Sequence, residues 1–86
     1  MKAAYINQTG PPENIIIGDL PTPTPTASQV LVRVGAAALN PVDTYIRAGT
    51  IKMDIPLPFI VGCDLAGVVE SVGPQVKRFK PGERVW

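Results

Sequence analysis

A carboxamide, a carboxylate and a phenol stand within six residues of one another in Asn40-Pro41-Val42-Asp43-Thr44-Tyr45-Ile46-Arg47-Ala48-Gly49. A thiol and a second carboxylate are adjacent in Gly62-Cys63-Asp64-Leu65-Ala66-Gly67-Val68-Val69-Glu70-Ser71-Val72-Gly73. These side chains are the chain's chemical equipment, and there is no histidine among its 86 residues. The segment therefore lacks the commonest general base, the commonest zinc-ligand nitrogen and any Ser-His or Cys-His dyad. Asn40 and Tyr45 can each donate a hydrogen bond to a carbonyl oxygen on which negative charge develops. One thiol with carboxylates is a poor starting set for zinc, which favours sulfur and imidazole in a near-tetrahedral shell. No strand–Gly-x-Gly-x-x-Gly–helix element occurs, so the phosphate-cradling half of a dinucleotide site is not in this sequence.

Each of these residues also has a purely structural reading. Asn40 fits the cap of a helix that opens at Pro41, a position where a missing amide donor costs nothing, and capping and ligand contact can coexist. Tyr45 can bury its ring and tie its hydroxyl to backbone. Asp43 can pair with Arg47 one helical turn on, worth about 0.3–0.5 kcal/mol at an exposed site. Cys63 reads as a small buried apolar residue, since nothing near it in sequence would activate the thiol.

Mostly strands must position these groups. Residues 1–6 read as a first strand and 7–12 as a turn. Residues 14–20 read as a second strand, because Ile15-Ile16-Ile17 is β-branched throughout. Residues 21–26 alternate Pro and Thr, and a stretch lacking every second amide donor forms neither helix nor central strand, so it is an extended connector. Residues 29–39 form a third strand with Val30, Val32 and Val34 on one face and Leu31 and Arg33 on the other. Its small residues Gly35-Ala36-Ala37-Ala38 allow close approach. The spacing predicts a helix from Pro41 to about Ala48. Pro56-Leu57-Pro58 breaks the chain, and 64–72 is the longest β-like run, with Gly62, Gly67 and Gly73 marking turns, bulges or tight approaches. Val85-Trp86 begins a further strand.

Composition bounds the partners. Hydrophobic residues make up 45% and charged residues 17%, with a net charge of +1, so no electrostatic footprint for nucleic acid exists. Lys77, Arg78 and Lys80 read as a solvated turn. No run of about 18 apolar residues is available to span a bilayer. A single cysteine cannot form an internal disulfide, and the first residues lack the apolar stretch of a secretory signal, so a reducing cytoplasm is expected. A chain of this length holds one small domain that buries only about 60–65% of its unfolded surface.

The two motifs, followed by Phe79-Lys80-Pro81-Gly82-Glu83-Arg84-Val85-Trp86, resemble the amino-terminal GroES-like domain of the medium-chain dehydrogenase/reductase superfamily, in its quinone oxidoreductase (zeta-crystallin-like) branch. The likeness runs through nearly the whole chain. It implies a mainly β fold: a GroES-like β-barrel with a short helix, incomplete, with residues 1–86 forming part of the catalytic domain. Closing strands and a doubly wound dinucleotide-binding domain are then expected beyond Trp86. In zinc-dependent members of the superfamily a cysteine stands where this chain has Asn40, and a His-Glu pair where it has Cys63-Asp64. Both departures match the branch that works without metal.

The resemblance implies hydride transfer from NADPH to a quinone or an α,β-unsaturated carbonyl, an acceptor that supplies its own electrophilicity. NADPH rather than NADH rests on the likeness alone. Asn40 and Tyr45 become the carbonyl-polarising candidates. Asn40, Pro41, Val42, Asp43 and Tyr45 would abut the nicotinamide and its ribose, while Tyr45, Phe59 and Cys63, with Met53 and Ile60 beside them, would line the acceptor pocket. The expected enzyme is a cytoplasmic homo-oligomer, and the segment alone should be inactive. Two rivals stand beside it. One is a binding or structural β module of crystallin type whose open edges pair with another chain. The other is a zinc-dependent alcohol dehydrogenase with atypical ligands, against which activity surviving chelation would count.

Overall fold

The computed structural model describes residues 1–86, which divide into two compact units interleaved along the chain. The first comprises Met1–Pro21 and Leu39–Cys63; the second comprises Thr22–Ala38 and Asp64–Trp86. The architecture is mainly β, with two three-stranded sheets, one in each unit.

In the first unit, β1 (Lys2–Ile6) is the central strand, flanked by β2 (Ile16–Asp19) and β4 (Phe59–Ile60), both antiparallel to it. The register sets Tyr5 opposite Ile16 on one side and Ile60 on the other. A 3₁₀ turn at Pro12–Asn14 joins β1 to β2, so the second strand starts two residues later than the Ile triplet predicts. Pro12 supplies the reason: its fixed φ nucleates the turn, and the Ile15 amide is spent on the Pro12 carbonyl at 3.0 Å rather than on a ladder. Strand β4 directly follows the Pro56-Leu57-Pro58 break, on residues given no element from the sequence, and it forms because β1 offers a free edge there, extended by Val61 N–H donating to Ala4 O at 3.2 Å. Ile6 is fully buried in this unit, and Ile46 nearly so. The unit's helix, α1 (Pro41–Ala48), follows the predicted bounds.

In the second unit, β3 (Val30–Ala38) and β5 (Asp64–Val72) form a long antiparallel pair, with β6 (Arg84–Val85) on the far edge of β5. The pairing slips twice, once between Leu31 and Val32 and once between Val34 and Ala36. Glu70 is the extra residue on β5 at the first slip, and Gly35 the extra residue on β3 at the second. Each slip resets which face the side chains take. Val34, expected to share a face with Val30 and Val32, is 53% exposed, and the whole of β3 from Arg33 to Ala38 is exposed with it, so the burial that the alternation implies stops at Val32. Val69, paired with Val32, is 1% exposed and centres this unit's core. Arg33 and Glu70 form an ion pair of 2.6 Å on the wet face, both side chains substantially exposed. The connector at 21–26 has no regular structure, as its alternate prolines require, and the basic residues Lys77, Arg78 and Lys80 are exposed. No helix is long and apolar enough to cross a membrane.

Gly67 in β5 and Gly73 just after it mark close approach rather than positive φ. A Cβ on Gly67 would lie 2.1 Å from the Arg33 carbonyl oxygen, and one on Gly73 would lie 2.2 Å from that of Thr26. Gly35 differs, its nearest neighbour being Ala66 O at 3.6 Å, an ordinary contact. Gly67→Ala is therefore expected to cost about 3 kcal/mol or more through a backbone clash. Gly35→Ala is expected to be neutral, or to stabilise by up to about 1 kcal/mol by restricting the unfolded chain. Denaturant unfolding of the two variants side by side checks the difference.

Candidate functional site

Helix α1 carries most of the chemistry-bearing side chains, and both of its ends are fixed by local hydrogen bonds. Asn40 is the N-cap, extended at φ −122° and ψ 163°, and Pro41 occupies the first helical position. Asn40 and Asp43 form a capping box, in which the Asn40 side chain accepts from the Asp43 amide and Asp43 Oδ2 accepts from the Asn40 amide at 2.8 Å; the Asp43 amide also lies 3.0 Å from the Asn40 carbonyl. Thr44 Oγ1 donates to the Pro41 carbonyl at 2.6 Å within the first turn. At the other end Gly49 takes the left-handed conformation, φ 83°. Its amide donates to Ile46 O at 3.2 Å and that of Thr50 to Tyr45 O at 3.0 Å, the double bond pattern of a Schellman stop.

The Asp43–Arg47 pair offered by their spacing does not form. The Arg47 guanidinium donates instead to the Gly10 carbonyl, and the Gly10 amide donates to the Arg47 carbonyl at 2.8 Å. This double contact ties the last turn of α1 to the loop after β1. Sequence reading saw only a turn at 7–12, since a partner 37 residues away leaves no local signal. Asp43, at the inner face of the helix, is 2% exposed. Its Oδ2 holds the Asn40 amide, while its Oδ1 is buried with no hydrogen-bond partner.

The helix thus has two faces. Asp43 and Ile46 point inward. Val42 and Tyr45, three residues apart, point outward at 43% and 51% exposure, and the cap residue Asn40 and Pro41 are exposed as well. The Tyr45 ring is therefore not a core ring, and the phenol is available to a ligand. A cavity of about 140 Å³ lies within this unit and is lined by Thr9, Ile46, Ile51, Lys52 and Met53 among others. Met53 belongs to its wall, whereas Tyr45, Phe59, Ile60 and Cys63 do not. Phe59 is half-buried on β4 and Ile60 is exposed. Cys63, expected to be buried, is exposed and in no disulfide. Gly62 before it adopts φ 113°, a backbone conformation that favours glycine, and Cys63 is the last residue of the first unit.

No group of three or more His, Cys, Asp and Glu side chains converges into a cation site. A carboxamide and a phenol exposed on the first turns of one capped helix can orient and polarise a carbonyl compound, and the arrangement offers no acid–base relay.

Residues 26–86 match the family of the alcohol dehydrogenase GroES-like domain. The chain belongs to that family. A quinone oxidoreductase of Sus scrofa is 46% identical over 87 residues, an alignment covering 100% of this chain and 26% of the relative. Among solved structures, Escherichia coli quinone oxidoreductase complexed with NADPH superposes with a TM-score of 0.88 at 31% identity, over 98% of this chain and 26% of that one. A cobalt- and zinc-bound thermostable alcohol dehydrogenase from Pyrobaculum aerophilum gives 0.87 at 39% identity, over 98% of this chain and 25% of that one. The resemblance to the quinone oxidoreductase branch of the medium-chain superfamily thus holds over the whole length. The chain spans about a quarter of the length of the relatives it matches.

The two faces of α1 in this GroES-like segment make separable predictions. Ile46→Ala is expected to destabilise the protein by about 2–4 kcal/mol, as a buried large-to-small change. Tyr45→Ala is expected to stay within about 0.5 kcal/mol of the parent, because the ring is half in solvent. Thermal and denaturant unfolding of both variants checks this.

Proposed function

We propose that this chain is the amino-terminal part of the catalytic domain of a zinc-independent, NADPH-dependent quinone oxidoreductase. The observation that carries the reading is the pair of replacements on this family's frame: Asn40 and Cys63-Asp64 in a chain with no histidine, 46% identical to a quinone oxidoreductase. The likeness to a zinc-bound alcohol dehydrogenase favours a metal enzyme as the second reading. Against it stands the donor set. An amide, one exposed thiol and carboxylates that do not converge fit zinc poorly.

Reduced nicotinamide, when bound, supplies the hydride, and in this reading its phosphates are held by a domain outside this chain. The exposed first turns of α1 fit the nicotinamide end. Pro41 and Val42 present a small apolar surface, and Asn40 and Tyr45 present hydrogen-bonding groups beside it. These two side chains orient the acceptor and donate to its carbonyl oxygen as charge develops there. A quinone or enone is already electron-poor, so one or two such hydrogen bonds suffice where an unactivated ketone needs a Lewis acid. In this reading the proton that completes reduction is drawn from solvent.

The test is NADPH oxidation by the full-length protein with a simple quinone and, separately, with an unactivated ketone. Turnover is expected with the quinone and not with the ketone; the reverse preference would overturn the reading. Tyr45→Phe is expected to lower kcat with the quinone by about 3–10-fold, the worth of one hydrogen bond, while leaving thermal stability unchanged. Unaltered kinetics in that variant would remove Tyr45 from the site.

A further inference from the structure

Asp43 is the one buried charged side chain of the chain, and it spends only one of its two oxygens. Oδ2 takes the Asn40 amide at 2.8 Å; Oδ1 has no partner and no exposed surface. Helix capping alone explains this badly. Burying a carboxylate with an unsatisfied oxygen is costly, and a neutral side chain at the same position caps the amide with less desolvation. What a carboxylate adds is a charge-assisted bond to one particular N–H, reinforced by the positive end of the helix dipole. That N–H belongs to Asn40, whose carboxamide is aimed by its extended φ and ψ together with the Asp43 amide from which its side chain accepts.

We propose that Asp43 is the positioning residue of this site, holding the Asn40 backbone so that the Asn40 carboxamide is pre-aimed at the ligand. At 2% exposure Asp43 offers no surface to cofactor or acceptor, so it acts only through Asn40. The inference deepens the reductase reading and rests on it for the identity of the ligand. The fixing of Asn40 itself rests on the hydrogen bond alone. Asp43 and Asn40 lie in the same compact unit, on one helix turn, so the effect needs nothing from the rest of the fold.

The experiment compares Asp43→Ala and Asp43→Asn with the parent in the full-length protein. Three quantities are measured: residue-resolved amide hydrogen exchange at Asn40 and Ile46, NADPH affinity by fluorescence titration, and kcat and KM per folded molecule. In Asp43→Ala the Asn40 amide is expected to exchange at least about tenfold faster while Ile46 keeps its protection. NADPH affinity and kcat/KM with a quinone are expected to fall by about ten- to a hundredfold, the penalty of a misplaced contact group. Asp43→Asn keeps an oxygen for the Asn40 amide but not the charge, and is expected to recover only part of each. Acceleration of the Asn40 and Ile46 amides together, or a lowered melting temperature with unchanged affinity and kinetics, would reduce Asp43 to a helix cap and overturn the proposal. A parent protein that neither binds NADPH nor reduces quinones would refute the reductase reading, and the exchange comparison alone would then decide this one.

Discussion

Arg47 and Gly10 grip each other twice, amide to carbonyl in one direction and guanidinium to carbonyl in the other. Everything the first unit offers a ligand depends on that grip. Strand β1 is the middle of its sheet, paired on both sides, and Gly10 lies four residues beyond its end. Pinning the last turn of α1 to Gly10 ties the helix to the best-supported strand in the unit. An arginine suits the task because its planar fork reaches a carbonyl while the stem packs along the helix. The same bond explains why Asp43 turns inward: with Arg47 committed elsewhere, its carboxylate closes on the nearest orphan donor, the N-cap amide.

From that anchoring follows the division of α1 into an inner face that holds the helix and an outer face exposed to solvent. Asn40 and Tyr45 on the outer side are neutral hydrogen-bond donors, able to stabilise negative charge on an acceptor oxygen. In the proposed reading such a site suits reductions in which the substrate brings its own electrophilicity, with orientation and exclusion of water as the protein's contribution. The second unit presents no comparable cluster. Its long β3–β5 pair, bent by slips at Glu70 and Gly35, is a scaffold whose glycines serve backbone contact.

How much could be read beforehand depended on whether the determining interaction was local. The α1 bounds were legible because Asn-Pro opens a helix and Gly closes one by backbone preferences alone. Strand β5 was legible for a similar reason, since its β-branched run and flanking glycines carry the signal in sequence. Strand β4 was not, because two residues after a proline form a strand only if a distant edge receives them. The exposure of Val34 was not legible because period-two alternation says which residues share a face and not how far along the strand that face is covered. The chemistry of Asn40 and Tyr45 was visible as residue types, and the structure adds that both are exposed. Cys63 was misjudged because an apolar habit was assumed for a residue that follows a left-handed glycine and precedes an aspartate.

The central claim is that the family's frame works here without a metal at Asn40 and Cys63. Its most direct test is quinone-dependent NADPH oxidation by the full-length protein after exhaustive chelation, with the metal content of the same sample measured. The account predicts undiminished turnover in protein holding only substoichiometric metal. Loss of turnover on chelation, restored by added zinc, would contradict it.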